Sequence, residues 1–281
     1  MSLAFPGGAF APLACLLGLA VGSFLNVVIH RLPRMMEAQW AAQAAEFEGR
    51  EAPPAAAYNL WTPASHCPSC NAPVRAWQNI PLVSYALLRG RCASCGQPIS
   101  ARYPAVEALT GALSYWVAAH FGWGVAGAAA LVMVWFLIAL SFIDADTTLL
   151  PDSLTLSLLW LGLLLNVNGT FAPLRDAVVG ASAGYVVLWL VYWAFKLATG
   201  REGMGYGDFK LLAALGAWLG WTMLLPIVLL SSVAGALIGI ALIVLARHGR
   251  SVPIPFGPYL AIAGFVALLY GRNLVAALGW G

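Results

Sequence analysis

Eight apolar runs divide this chain, near residues 9–29, 105–121, 125–143, 153–167, 175–198, 209–220, 222–246 and 257–278. A helix needs about 20 mostly apolar residues to cross a bilayer. In hydrocarbon every backbone polar group must be satisfied internally, so runs of this length can fold only as helices. Composition agrees: 61% of residues are hydrophobic and only 9% are charged, whereas a soluble domain carries roughly a quarter charged residues. The expected fold is an all-α polytopic membrane protein of about eight transmembrane helices, with the lipid bilayer as a partner. The net charge of +3 says little about partners by itself; no nucleic acid is expected as a partner, and the oligomeric state is left open.

Charge orients the runs. No Lys or Arg precedes Arg31, and the cluster His30-Arg31-Leu32-Pro33-Arg34 follows the first run. A cleavable export signal carries its basic residues before its apolar core, so the first run is expected to be a retained helix with its amino terminus outside. Eight crossings then put Arg31, Arg34, Arg50, Arg75, Arg89, Arg91, Arg102, Lys196, Arg201, Lys210, Arg247 and Arg250 in the cytoplasm. Only Arg175 and Arg272 fall outside, as the positive-inside rule requires.

The domains expected from this layout are a first transmembrane helix at 1–29, a cytoplasmic module at 30–104 and a transmembrane core at 105–281. Met35 to Pro54 is rich in Ala, Glu and Gln and predicts a polar helix ahead of the Pro53-Pro54 break. Tyr58 to Tyr103 holds Cys67-Pro68-Ser69-Cys70 and Cys92-Ala93-Ser94-Cys95, with 21 residues between the pairs. So short a segment buries little core and needs a staple. Each CxxC turn sets two thiolates on one side of a tetrahedron, and two turns complete a closed zinc site. Disulfides or a redox couple are the main rivals, but the cytoplasm keeps thiols reduced and structural disulfides are rare there. With Cys67, Cys70, Cys92 and Cys95 filling four positions, Zn2+ would be structural. Cys15, alone in the first run, reads as a small packing residue, and His30, His66, His120 and His248 form no ligand spacing.

The chain holds only 11 Asp and Glu residues, and two acidic islands sit at junctions between apolar runs. Ile143-Asp144-Ala145-Asp146 closes one run. Gly203-Met204-Gly205-Tyr206-Gly207-Asp208 opens another, with glycines suited to positive φ or to close approach of a second backbone. The runs that follow the two islands, 153–167 and 209–220, are short for a crossing, so each is expected to be re-entrant or to begin below the membrane surface. An ionisable group at membrane depth costs about 3 kcal/mol on insertion scales and marks function by default. Asp208 is read as catalytic, against the plainer alternative of a helix N-cap. Asp144 ranks first as its partner. Asp146 reads as solvated in the loop and Asp152 as the N-cap of the next helix. Two adjacent carboxylates share one proton near neutral pH, so one can take a proton from water while the other polarises a scissile carbonyl. Glu107 reads equally as a first-turn carboxylate favoured by the helix dipole or as a substrate contact, and Glu202 as solvated beside Arg201. Glu107, Glu202 and Asp146 are candidates for substrate selection.

Further motifs carry a resemblance. Gly22-Ser23-Phe24-Leu25-Asn26 through His30-Arg31-Leu32-Pro33, the four-cysteine module with Asn79-Ile80-Pro81-Leu82 and Leu88-Arg89-Gly90-Arg91-Cys92, and Ile99-Ser100-Ala101-Arg102-Tyr103-Pro104 are its first half. Phe142-Ile143-Asp144 through Leu150-Pro151-Asp152, Gly205-Tyr206-Gly207-Asp208 and Pro255-Phe256-Gly257-Pro258 are its second. From end to end the chain resembles the bacterial prepilin leader peptidase/N-methyltransferases of type IV pilus and type II secretion systems. Gly-x-Gly-Asp alone is also similar to the presenilin-type intramembrane proteases. The resemblance implies Asp144 and Asp208 as the catalytic pair and Cys67, Cys70, Cys92 and Cys95 as zinc ligands. It implies cleavage of prepilins and pseudopilins just after a glycine, at the cytoplasmic face of the bacterial inner membrane. It further implies methylation of the new amino-terminal residue, usually phenylalanine, from S-adenosylmethionine.

No Gly-x-Gly-x-x-Gly stretch follows a predicted strand, so the S-adenosylmethionine site is not legible. One rival is a peptidase without methyl transfer, although the cysteine module favours the bifunctional form. The other is a membrane scaffold or transporter whose zinc ribbon binds a partner and whose polar residues line a solute path.

Overall fold

The computed structural model describes residues 9–50, 58–245, 255–277 and 279. The Pro53-Pro54 break, His248 and the charges Arg247 and Arg250 lie outside the described residues, as does the side chain of Arg272. The helices are α1 (Phe10–Phe47), α2 (Val83–Leu87), α3 (Arg102–Phe121), α4 (Val125–Thr147), α5 (Asp152–Asn166), α6 (Leu174–Thr199), α7 (Tyr206–Leu219), α8 (Leu224–Leu245) and α9 (Gly257–Ala277). Among the described residues there is no named strand, and two isolated bridges occur in the cysteine region. The all-α expectation holds, and each apolar run contains a helix. Among the described residues, four helical stretches are long and apolar enough to cross a membrane: Phe10–Phe47, Val125–Thr147, Leu174–Thr199 and Trp221–Ala241. They fit a membrane protein.

The chain forms two compact units, residues 1–123 and 124–281. In the first, α1 does not end near residue 29. It runs through Pro33 into the polar stretch, so the apolar run and the predicted polar helix are one helix of 38 residues. Small residues let α1 and α3 approach: a methyl group on Gly18 would strike Thr110 and Ser114, and one on Gly22 would strike Glu107 and Thr110. Close approach through small residues is the usual packing device where lipid removes the hydrophobic drive. Asn26 adds a hydrogen bond to the Tyr103 carbonyl, 3.1 Å.

In the second unit α7 is the central helix. Phe209 and every residue from Leu211 to Trp218 except Gly216 are at most 2% exposed, and Gly216 is buried as well. A helix apolar on all sides belongs inside other helices, which is why 14 residues suffice for it. Gly180 of α6 and Gly216 of α7 meet backbone to backbone, and Gly162 of α5 receives the Trp218 ring. Trp218 Nε1 donates to the Leu158 carbonyl at 2.7 Å. Asn166, fully buried at the end of α5, donates to the carbonyls of Ala217 and Trp218 and accepts from the amides of Phe171 and Ala172.

Candidate active site and metal centre

Asp144 lies in the last turn of α4, which continues through the acidic island to Thr147 and ends on Thr148 in the left-handed region. Asp208 lies in the first turn of α7. The helix begins at Tyr206, not at Phe209, so Asp208 is not an N-cap; Gly205 holds that position. The two side chains are 4% and 6% exposed. Each accepts one backbone amide: Gly257 donates to Asp144 Oδ2 at 2.8 Å, and Gly205 donates to Asp208 Oδ2 at 3.2 Å.

Leu150 joins their surroundings. A methyl group on Gly207, next to Asp208, would lie 2.6 Å from Leu150 Cβ; one on Gly257 would lie 3.2 Å from Leu150 Cδ2 and 2.6 Å from Asp144 Oδ2. The glycines of the turn therefore differ from expectation. Positions 203, 205 and 207 all avoid positive φ. Gly203 makes room for the Phe195 ring and Gly207 for Leu150, whereas Gly205 is not crowded. The arrangement is two buried carboxylates, each pinned by one amide and each keeping an oxygen for other chemistry.

The four cysteines gather in the first unit. Their Sγ atoms all lie within 4.8 Å of one another, with Cys67 Sγ and Cys95 Sγ 3.9 Å apart. A tetrahedral zinc with Zn–S of about 2.3 Å sets sulfurs about 3.8 Å apart, so the set fits that ion. The two turns are built alike. Asn71 N–H returns to the Cys67 carbonyl and Gly96 N–H to the Cys92 carbonyl, both at 2.9 Å. Asn71 and Gly96 both have positive φ, which Gly and Asn tolerate best. Amides of Ser69 and Cys70 draw the Cys67 thiol down to about 6. The Gln97 amide lowers Cys95, but burial and the other three thiols outweigh it and push that thiol up to about 12. Four sulfurs this close could hold a metal ion.

Residues 16–121 match the Bacterial Peptidase A24 N-terminal domain, and residues 131–240 match the Type IV leader peptidase family. Proteins named prepilin leader peptidase/N-methyltransferase are similar throughout. That of Aeromonas hydrophila is 60% identical, over 93% of this chain and 91% of its own length. The chain belongs to the type IV leader peptidase family. The relative from Stutzerimonas stutzeri is 57% identical over 96% and 93% of the two chains, and that from Pseudomonas aeruginosa 57% over 95% and 92%. No solved structure matches the chain.

Within this leader-peptidase framework the other acidic candidates take structural places. Glu107 is not in the first turn: it is the sixth residue of α3, buried, and its Oε2 accepts the Leu82 amide at 2.9 Å, where Leu82 has positive φ. Asp152 is not an N-cap either. Pro151 caps α5, and Asp152 pairs with Lys210 of α7 at 2.6 Å. Glu202 is paired as well as exposed, with Lys196 at 2.8 Å. Asp146 is exposed but on α4, not in the loop. Arg31, read from sequence only as a topology charge, is 7% exposed and donates to the carbonyls of Asn59 and Pro63 at 2.9 and 2.7 Å.

Two features escaped the sequence reading. Gly257 stands within Pro255-Phe256-Gly257-Pro258, and nothing in that motif signals that its amide reaches Asp144. The likeness of the two cysteine turns was legible, as Cys67-Pro68-Ser69-Cys70-Asn71-Ala72-Pro73 against Cys92-Ala93-Ser94-Cys95-Gly96-Gln97-Pro98.

Proposed function

We propose that this chain cleaves the leader of type IV prepilins and type II secretion pseudopilins, with Asp144 and Asp208 as the catalytic pair, and then N-methylates the new amino-terminal residue. The observation that carries the peptidase half is the burial of these two carboxylates, each held by a backbone amide, with Leu150 set against both Gly207 beside Asp208 and Gly257 that holds Asp144. Near neutral pH such a pair shares one proton. The ionised member takes a proton from water as it attacks the scissile carbonyl; the protonated member donates to the carbonyl oxygen, giving a tetrahedral diol. Proton transfer to the departing amine then releases leader and mature pilin. No water is consumed beyond the one that ends in the new carboxylate.

The similarity to proteins named prepilin leader peptidase/N-methyltransferase supports the methyl-transfer half. S-adenosylmethionine would supply the methyl group, and no described residue is assigned to it. Zn2+ is the metal proposed for Cys67, Cys70, Cys92 and Cys95, where it would stiffen the module. Residues 1–29, 30–104 and 105–281 are proposed as membrane anchor, zinc module and peptidase core. The charge layout supports the bacterial inner membrane with the active site facing the cytoplasm. Purified protein incubated with a prepilin, examined by mass spectrometry with and without S-adenosylmethionine, tests both halves. The expected product is a pilin cut after the leader glycine that gains a methyl group only with the donor. Intact prepilin overturns the peptidase reading; a cut but unmethylated product overturns the bifunctional one.

A further inference from the structure

The segment that carries Asp208 leaves α6 at Gly200, which has positive φ and returns its amide to the Lys196 carbonyl at 2.8 Å. The next residues fold back on the last two turns of α6. Lys196 Nζ donates to Glu202 Oε1 at 2.8 Å and to Tyr192 Oη at 3.1 Å, and Tyr192 Oη donates to the same Glu202 oxygen at 3.2 Å. These contacts close a three-membered ring of polar groups. One residue on, Gly203 sits against the Phe195 ring so closely that a methyl group there would be 2.8 Å from Cδ1. At the far side of the turn, the Tyr192 ring meets those of Tyr206 and Phe209, with centroids 5.2 and 5.8 Å away. Phe209 is the residue after Asp208 and is fully buried.

We propose that Tyr192, Lys196 and Glu202 form a latch that positions Asp208 for catalysis. This rests on the peptidase reading of Asp208. Tyr192 is 2% exposed and fixed in α6, so it supplies a rigid post. Its ring braces the start of α7 while its hydroxyl, with Lys196, holds the middle of the turn. The Lys196 and Glu202 side chains are 35% and 70% exposed. An ion pair so open to solvent adds little to global stability. What it does is restrict six residues between two helices, and therefore the direction from which Asp208 enters the site. Displacement of a catalytic group by about 1 Å can cost about 100-fold in rate.

The test uses full-length protein in detergent and a synthetic peptide with a basic leader, glycine, phenylalanine and an apolar continuation. Lys196→Met and Glu202→Gln are expected to lower kcat by about 10- to 100-fold while KM and the melting temperature stay put. The double variant should be no worse than the worse single one, because both break one latch. The exchanged pair Lys196→Glu with Glu202→Lys should recover most of the lost kcat. Hydrogen exchange at the 202–205 amides should quicken in both single variants. Wild-type kcat in the single variants, additive losses, or a loss confined to KM would overturn the latch; the last would make Glu202 a contact for the basic leader. If the wild-type protein cleaves nothing, the peptidase reading fails, and unchanged exchange in the variants would separately overturn the latch.

Discussion

The amide of Gly257, at the start of α9, donates to Oδ2 of Asp144, at the end of α4, across 2.8 Å of space and 113 positions of sequence. The same Asp144 oxygen leaves no room for a side chain at position 257: a methyl group would sit 2.6 Å from it. Gly257→Ala should therefore push the carboxylate away and lower kcat for leader cleavage by about 100-fold. KM should change little, because binding of the leader does not run through that contact. Steady-state kinetics on the variant checks it, and an unaltered kcat would contradict the role given to this amide.

Two carboxylates close to the pair in sequence or in the fold, Asp146 and Asp152, should be dispensable. Asp146 is exposed on α4, and Asp152 forms a partly exposed ion pair with Lys210. Surface changes away from special features usually stay within about 0.5 kcal/mol. Asp146→Asn and Asp152→Asn are thus expected to cleave within about threefold of wild type. A loss as large as that from Asp144→Asn would show that the catalytic pair has been misassigned.

Metal binding in the cysteine module should depend on pH with a definite sign. Near neutrality Cys67, drawn down to about 6, is a thiolate, whereas Cys95, pushed up to about 12, still holds its proton. Binding must displace that proton, so zinc affinity should rise with pH by about tenfold per unit for each proton released. As pH falls through about 6, Cys67 also protonates and the metal should be lost faster still. Competition with a chromophoric chelator at several pH values measures this. A flat profile, or an unchanged zinc content in Cys92→Ser, would contradict the four-thiolate site.

Asn166 should matter for stability. Its amide closes four hydrogen bonds that tie the end of α5 to the end of α7 and to the turn after α5. Asn166→Ala leaves those backbone groups unsatisfied in a fully buried position, at a cost of about 3 kcal/mol. The apparent melting temperature should fall by about 5–10 °C, and a melt indistinguishable from wild type would contradict the role.

Hydrophobic run length and charge placement made the helices legible, because lipid leaves the backbone so few options. Their ends were less so. The first apolar run stops near residue 29, yet α1 continues through Pro33 to Phe47. Asp144 and Asp208 could be singled out by scarcity of charge and by position. The sequence contained no trace of the long-range partner that holds Asp144, since Gly257 is 113 residues away and offers only an amide. Short-range periodicity likewise could not show that Glu107 turns inward to the Leu82 amide or that Lys196 turns back to Glu202. Those are contacts between segments, created by packing. The cysteine pairs were legible because their chemistry is set within each turn.

The central claim is that Asp144 and Asp208 act as one catalytic unit. Single-turnover leader cleavage by purified Asp144→Asn, Asp208→Asn and the double variant tests it most directly. The account predicts that each single substitution removes as much activity as both together, as happens for residues that act jointly, with the proteins still folded. Cleavage at the wild-type rate by either single variant would contradict it.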